Sequence, residues 1–298
     1  MLKKNKIIIK MKIQDKIKAS FDKCVKIKFE GDSNDHPIIY LNILKNIIGD
    51  NKEKPSNILM NKMIEISEEY SPREKDEIFL SEIASEGLGM TVAVADLQDA
   101  CQIGNWQEAK KVAARLQHVS ENGLGLIEAL IEMSLQDFDR MGIFSYHLQR
   151  ANAFNQSNNN NWIYAVCLFN ELKKKKLKQP HEAKNVKFSY NLLDGHRDII
   201  KYSVCARLWQ GDYVRALSFQ RELSHWIHGF DKKKTKNVVN ALSLDGLDNY
   251  RKKRGDFFIN LAEGFIEDFE VLKFLEAFRF FAKQANEEEY YTLKKTFE

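Results

Sequence analysis

Proline and glycine are scarce in this chain, with only 4 and 14 of them among 298 residues. So little punctuation speaks against many short strands and for long helices. Cysteine is scarcer than a disulfide framework requires. Cys24, Cys101, Cys167 and Cys205 lie far apart and form no CxxC pair, which also argues against a zinc site. Three of them sit in apolar helical patterns, where a reduced thiol behaves as a small buried hydrophobe, so a reducing compartment is expected. Long apolar runs are missing as well. Ile7-Ile8-Ile9 is broken by Lys10 and Lys12, too short a run for a secretory signal. No stretch approaches the length of uncharged apolar sequence that a transmembrane helix needs. These absences together make a cytoplasmic protein the expectation.

What is present is ordinary for a folded chain: 44% hydrophobic, 11% aromatic and 30% charged residues. That composition excludes a disordered or fibrous polymer, and the length suits one large or two moderate domains. Charge is unevenly spread. Residues 1–28 hold ten lysines against Asp15 and Asp22, a net of +8, which leaves the rest of a +4 chain mildly acidic. The division expected is a basic N-terminal segment over 1–36 and a helical array over 37–298. The polar run NQSNNNN at 155–161 is a candidate subdivision of that array.

Within the basic segment, Lys6–Ile13 is β-branched, and Val25, Ile27 and Phe29 alternate with charged residues at period two. A short β-hairpin is therefore expected there, although a Lys-rich amphipathic helix fits Met11–Cys24 equally well. From His36 onward the apolar spacing is helical. Ser71-Pro72-Arg73-Glu74 carries a capping box with proline at the first helical position, so a helix start is expected at that point. Later helices are expected near 90–103, 105–120, 124–135, 137–154, 161–178, 183–193, 196–210, 212–228, 236–253, 255–267 and 269–284. The fold class is all-α, an array of antiparallel helical hairpins.

Two junctions in this array are alike. Gly104-Asn105-Trp106-Gln107-Glu108-Ala109 and Gly211-Asp212-Tyr213-Val214-Arg215-Ala216 both read Gly, Asn or Asp, aromatic, two variable residues, Ala. Glycine ends one helix, the Asx residue caps the next, and the small alanine lets two helices approach closely. The motif resembles the turn of the tetratricopeptide repeat, which implies a stack of helical hairpins. The family's first-helix Trp and Leu-Gly-Tyr pattern and its closing proline are missing here. Both a true repeat array and an irregular helical bundle stay open.

Motifs that carry chemistry are few. His225 and His228 stand three apart, but no HExxH accompanies them, and a helix C-terminus closed by Gly229 accounts for both. His196-Arg197-Asp198 lacks the asparagine, glycine loop and DFG of a kinase, and no GxSxG, Walker loop or GxGxxG occurs. A Cys–His or Ser–His pair joined only by the fold stays open. Basic clusters lie at Lys173, Lys174, Lys175 and Lys176, at Lys232, Lys233 and Lys234, and at 251–254. Either they are solvated helix ends or, with the basic arm, a nucleic-acid surface. Eight of the 19 phenylalanines fall between Phe257 and Phe281, with Phe274, Phe278 and Phe281 on one stripe, as core or as an interface.

The sequence thus points to a non-enzymatic interaction protein, a scaffold, adaptor or regulator that offers a helical groove to a protein or peptide partner. Nucleic-acid binding through the lysine clusters is the alternative, and an enzyme or host-directed effector with dispersed residues is a further one. No cofactor or metal is called for, and self-association is compatible with the Phe-rich end.

Overall fold

A computed structural model describes residues 2–89, 91–155, 160–186, 198–229 and 243–295. Among them run fifteen α-helices: α1 (Leu2–Cys24), α2 (Pro37–Ile48), α3 (Asn57–Glu68), α4 (Asp76–Glu86), α5 (Val94–Gln102), α6 (Trp106–Val119), α7 (Leu124–Leu135), α8 (Phe138–Phe154), α9 (Asn160–Leu172), α10 (Ile199–Trp209), α11 (Ala216–Gly229), α12 (Leu247–Lys253), α13 (Phe257–Gly264), α14 (Phe269–Gln284) and α15 (Glu287–Lys295). No strand occurs among the described residues, so the all-α class holds. None of the described helices is long and apolar enough to cross a membrane.

The expected N-terminal hairpin is corrected. Residues 2–24 form one helix, whose Ile17, Phe21 and Cys24 recur at helical spacing and are buried. What resembled a second strand makes a single antiparallel bridge, Ile27 to Pro72. Lys28 N–H donates to the Ser71 carbonyl at 2.8 Å, and Arg73 reaches the carbonyls of Ile27 and Val25 at 2.7 and 2.9 Å. This pairing also displaces the expected helix start. Ser71–Arg73 is held extended, and α4 begins at Asp76 instead. A capping signal is local, and a tertiary pairing overrode it.

Other boundaries moved by similar amounts. The helix expected over 161–178 stops at Leu172, and that over 212–228 begins at Ala216. The helix expected over 183–193 falls mainly outside the described residues, and positions 183–186 are not helical.

The core runs from one end of the chain to the other. α2 lies against α3, α8 and α14; α10 joins α14 and α11; α7 packs between α8 and α9. The last long helix therefore closes back onto one of the first. Phe274, Phe278 and Phe281 are buried in that core, as are Trp162, Tyr164, Tyr202, Phe138 and Phe219. All four cysteines are buried and unpaired.

At the first repeat-like junction, Gly104 takes a φ of +79°, a conformation glycine adopts without strain. Asn105 then caps α6 by accepting from Glu108 N–H at 3.3 Å, and Ala109 of α6 is fully buried, with α6 packed on α5 among others. At the second, Ala216 is the first residue of α11 and stays partly exposed.

Candidate functional site

The residues singled out in the sequence are scattered by the fold. Lys173–Lys176 follow the end of α9 and are exposed, with Lys174 bonded to Glu171 at 2.8 Å and to the Gly31 carbonyl at 3.0 Å. Lys232, Lys233, Lys234 and His196 lie outside the described residues. His225 stacks on His181 with ring centres 3.7 Å apart, and His181 bonds the buried Glu222 at 2.7 Å. No group of three or more potential metal ligands assembles among the described residues.

The fold does create one Cys–His pair, with Cys167 Sγ 3.7 Å from His36 Nε2. His36 is the N-cap of α2, and its Nδ1 accepts from Ile38 N–H at 3.1 Å. An acceptor at Nδ1 places the ring proton on Nε2, facing the sulfur. The imidazole therefore has no lone pair to take a proton from the thiol, and burial pushes the Cys167 thiol up to about 12. As arranged, the pair packs and caps; it does not form a nucleophile.

A large concavity lies elsewhere among the described residues, a cleft of about 1090 Å³. Its walls come from the start of α7, α8, the end of α10, the 210–214 turn and α14, with Asn46 of α2 at the back. Helical spacing explains the lining. α8 presents Tyr146, Gln149, Arg150 and Ala153, and α14 presents Glu276, Arg279, Phe280 and Lys283, each set at intervals of three and four.

Ion pairs fix this wall. Arg207 bonds Glu276 at 2.7 Å and Tyr146 Oη at 2.9 Å, while the ring of Phe280 covers the guanidinium at 4.2 Å. Glu276 also accepts from Asn46 at 2.9 Å. Arg279 forks onto Asp50 at 2.7 and 2.6 Å, and Lys283 and Tyr250 complete the Asp50 shell. Burial pushes the Glu276 carboxyl up, but the Arg207 charge and hydrogen bonds prevail and hold it down at about 2.

Acid and base balance along the cleft, with Glu121, Glu128, Asp212 and Glu276 against Arg150, Arg207, Arg279 and Lys283. Lys45, on α2 beside Asn46, is drawn down to about 7 by burial and then by the Arg150 charge, with Arg279 and Arg207 acting in the same direction. His147 is lowered to about 3, chiefly by burial, and sits 2.8 Å from Asn42. Two buried polar atoms of the cleft lining, Arg207 Nε and Asn152 Oδ1, have no hydrogen-bond partner.

The opposite lip differs. Glu128 of α7 accepts from Arg215 N–H at 2.9 Å, so it caps α11 from outside and pins the 210–214 turn. Tyr213 Oη donates to Gln149 at 3.0 Å from the same turn. Glu121, Asp212 and Val214 are exposed on this lip, Val214 to 87%.

None of these cleft residues was legible as a site in the sequence. Two signals were available: the polar face of α14, where Glu276, Arg279 and Lys283 recur at helical spacing between the phenylalanines, and the Gly211–Ala216 junction, read only as a turn, which supplies Gly211, Asp212, Tyr213 and Val214 to the lining. Fold and cleft define an all-α helical array whose described residues form a large, charge-lined groove. Comparison with protein-family models, with curated proteins and with solved structures gives no match.

Proposed function

We propose that this chain is a non-enzymatic binding protein that holds a segment of a partner protein in the cleft between α7, α8, α10 and α14. The observation that carries this reading is the pairing of a groove of about 1090 Å³ with Val214, 87% exposed, at its lip. That volume is at the upper end for small-molecule sites, and its charged wall is held rigid by internal ion pairs before any ligand arrives. Stacked helical hairpins build grooves of this kind, and the Gly104–Ala109 turn supports the tetratricopeptide-like reading of the array. Four unpaired buried thiols favour a reducing, cytoplasmic setting.

Nucleic-acid binding at Lys173–Lys176 is the second reading, favoured by the exposure of Lys173, Lys175 and Lys176 after α9, with Lys174 tied to Glu171 and the Gly31 carbonyl. One experiment separates the two. The full chain and an Arg150→Glu, Val214→Asp variant are immobilised and challenged with native lysate, with and without nuclease, at low and high salt. A protein that survives nuclease on the wild type and is lost on the variant supports the cleft. Equal capture by both variants overturns it. Material that nuclease removes, and that a Lys173→Glu, Lys175→Glu variant fails to hold, supports the second reading.

A further inference from the structure

We infer that residues 178–185 are an acid-released strap, latched to α11 by the stacked rings of His181 and His225 and parted from it when His225 takes up a proton. This latch lies outside the cleft and does not depend on the binding-protein reading.

The strap is built to be held by side chains. Residues 178–185 form neither helix nor strand, and Pro180 lacks an N–H and biases Gln179 toward extended backbone. Apart from His181 they are exposed, while Leu177 just before them is buried and anchors the start. His181 N–H donates to both oxygens of Glu222 at 3.2 and 3.3 Å, and Lys184 N–H donates to Ser224 Oγ at 2.8 Å. Near the anchor, Gln102 donates to the Lys178 carbonyl at 2.9 Å, and Lys178 pairs with Asp137 at 2.6 Å. An exposed segment tied at so few points opens locally, without unfolding the body beneath it.

Two imidazoles sit at the centre of these ties. The rings of His181 and His225 are stacked with centres 3.7 Å apart and planes 14° apart. Both stand edge-on to Trp226, whose indole N–H is fixed on the Leu135 carbonyl at 2.8 Å. His181 Nδ1 lies 2.7 Å from the buried Glu222, which also accepts from Arg221 at 2.8 Å. That contact places a proton on Nδ1 and survives whether the ring is neutral or charged, so it is not the bond that acid breaks. The stack is. A charge on each ring would set two cations face to face at a separation where repulsion is strong.

The surrounding charges set the direction. Facing His225 among the described residues are His181 and Lys184 of the strap and Glu222 and His228 of α11. Burial, then His181 and Lys184, hold its imidazole below the usual histidine value; Glu222 opposes and His228 reinforces. The next cations out are already paired, Arg221 with Glu222 and with Glu132 of α7, and Lys178 with Asp137. Opening removes both strap cations and admits water, whereas Glu222 stays behind on the same helix as His225. The open form therefore binds a proton at His225 more readily than the closed one. By linkage the closed form is unaffected above the usual histidine value, near about 6.5, and loses ground as pH falls below it.

Amide hydrogen exchange followed by NMR on the full chain tests this, each rate being divided by that of an unfolded peptide at the same pH. Protection of the His181 and Lys184 amides should fall several-fold between about pH 7.5 and about pH 5, by up to about tenfold for each unit by which His225 titrates below the usual value. Amides of α8 should stay protected throughout. His225→Phe keeps a ring on the stack without a titrating proton, and should hold the strap closed across the range. Lys184→Gln, at an exposed position, removes one strap cation and should shrink the fall; it carries the test should the first variant fail a thermal melt. Constant protection in the wild type overturns the inference, as does an undiminished fall in a folded His225→Phe protein or, where that variant does not fold, in Lys184→Gln. A His225 resonance that titrates at or above the usual histidine value overturns it too, and so does a loss of protection that α8 shares.

Discussion

Arg207 and Glu276 meet at 2.7 Å across α10 and α14, with 9% and 4% of their side chains exposed. A pair this dry gains little net stability, because desolvation offsets most of the attraction. Breaking it is another matter. Glu276→Gln would leave the guanidinium buried beneath Phe280 without its counter-charge, at a cost of about 3–5 kcal/mol. Replacing both residues by apolar ones of similar volume, Arg207→Met with Glu276→Leu, should be neutral or stabilising by about 1–4 kcal/mol. Urea midpoints of the three proteins check this. A single mutant as stable as wild type would show that the pair is not dry.

Lys45 gives a pH dependence whose sign is fixed. Its amine is lowered to about 7 by burial, then by Arg150, while Glu276 opposes and Arg279 and Arg207 reinforce. Unfolding restores an ordinary lysine, so the unfolded chain holds a proton that the folded one has lost between about pH 7 and the usual lysine range. Stability from this group therefore rises with pH across that window, by at most roughly 1.4 kcal/mol per pH unit. Lys45→Met should remove the rise. Melting temperatures of both proteins from about pH 7 to about pH 10 measure it. Parallel curves would place Lys45 in water rather than among the arginines.

The two repeat-like junctions predict opposite responses to the same change. Ala109 of α6 is fully buried, so Ala109→Leu should cost about 1–3 kcal/mol through overpacking. Ala216 opens α11 with part of its surface in water, and Ala216→Leu should stay within about 0.5 kcal/mol of wild type. Thermal melts of both variants decide. A large loss at Ala216 would mean that the second junction packs as the first does.

That contrast marks how far the sequence could be read. Gly104, Asn105 and Ala109 act within one turn, so their pattern announced both the turn and the contact. At the second junction the cap comes from Glu128, more than eighty residues earlier, and Asp212 is left exposed on the lip. The same holds at Pro72, whose helix-start signal gave way to a bridge with Ile27. All-α architecture was legible because apolar spacing is a local property repeated along the chain. The cleft was not, because its wall depends on distant pairs such as Arg279 with Asp50, 229 residues apart. On α14 the phenylalanine stripe dominated the pattern and hid the Glu276–Arg279–Lys283 face beside it.

The thiols supply the last test, since a Cys–His pair invites a catalytic reading. Burial raises the Cys101 and Cys167 thiols to about 12 and pushes Cys24 and Cys205 up as well. His36 cannot rescue Cys167 as a base, because its Nδ1 is engaged in capping α2, and burial, then Lys174 and Arg73, hold the ring neutral. A maleimide should therefore label none of the four cysteines in the native protein at neutral pH, and all four in denaturant. His36→Ala should act on stability, losing the cap and the ring contacts with Phe29 and Phe144 at a cost of at least about 1 kcal/mol. Cys167→Ala should leave capture of a cleft partner unchanged. Rapid native labelling of Cys167 that His36→Ala abolishes would mean the imidazole does activate the thiol, and the pair would then have to be treated as a nucleophile.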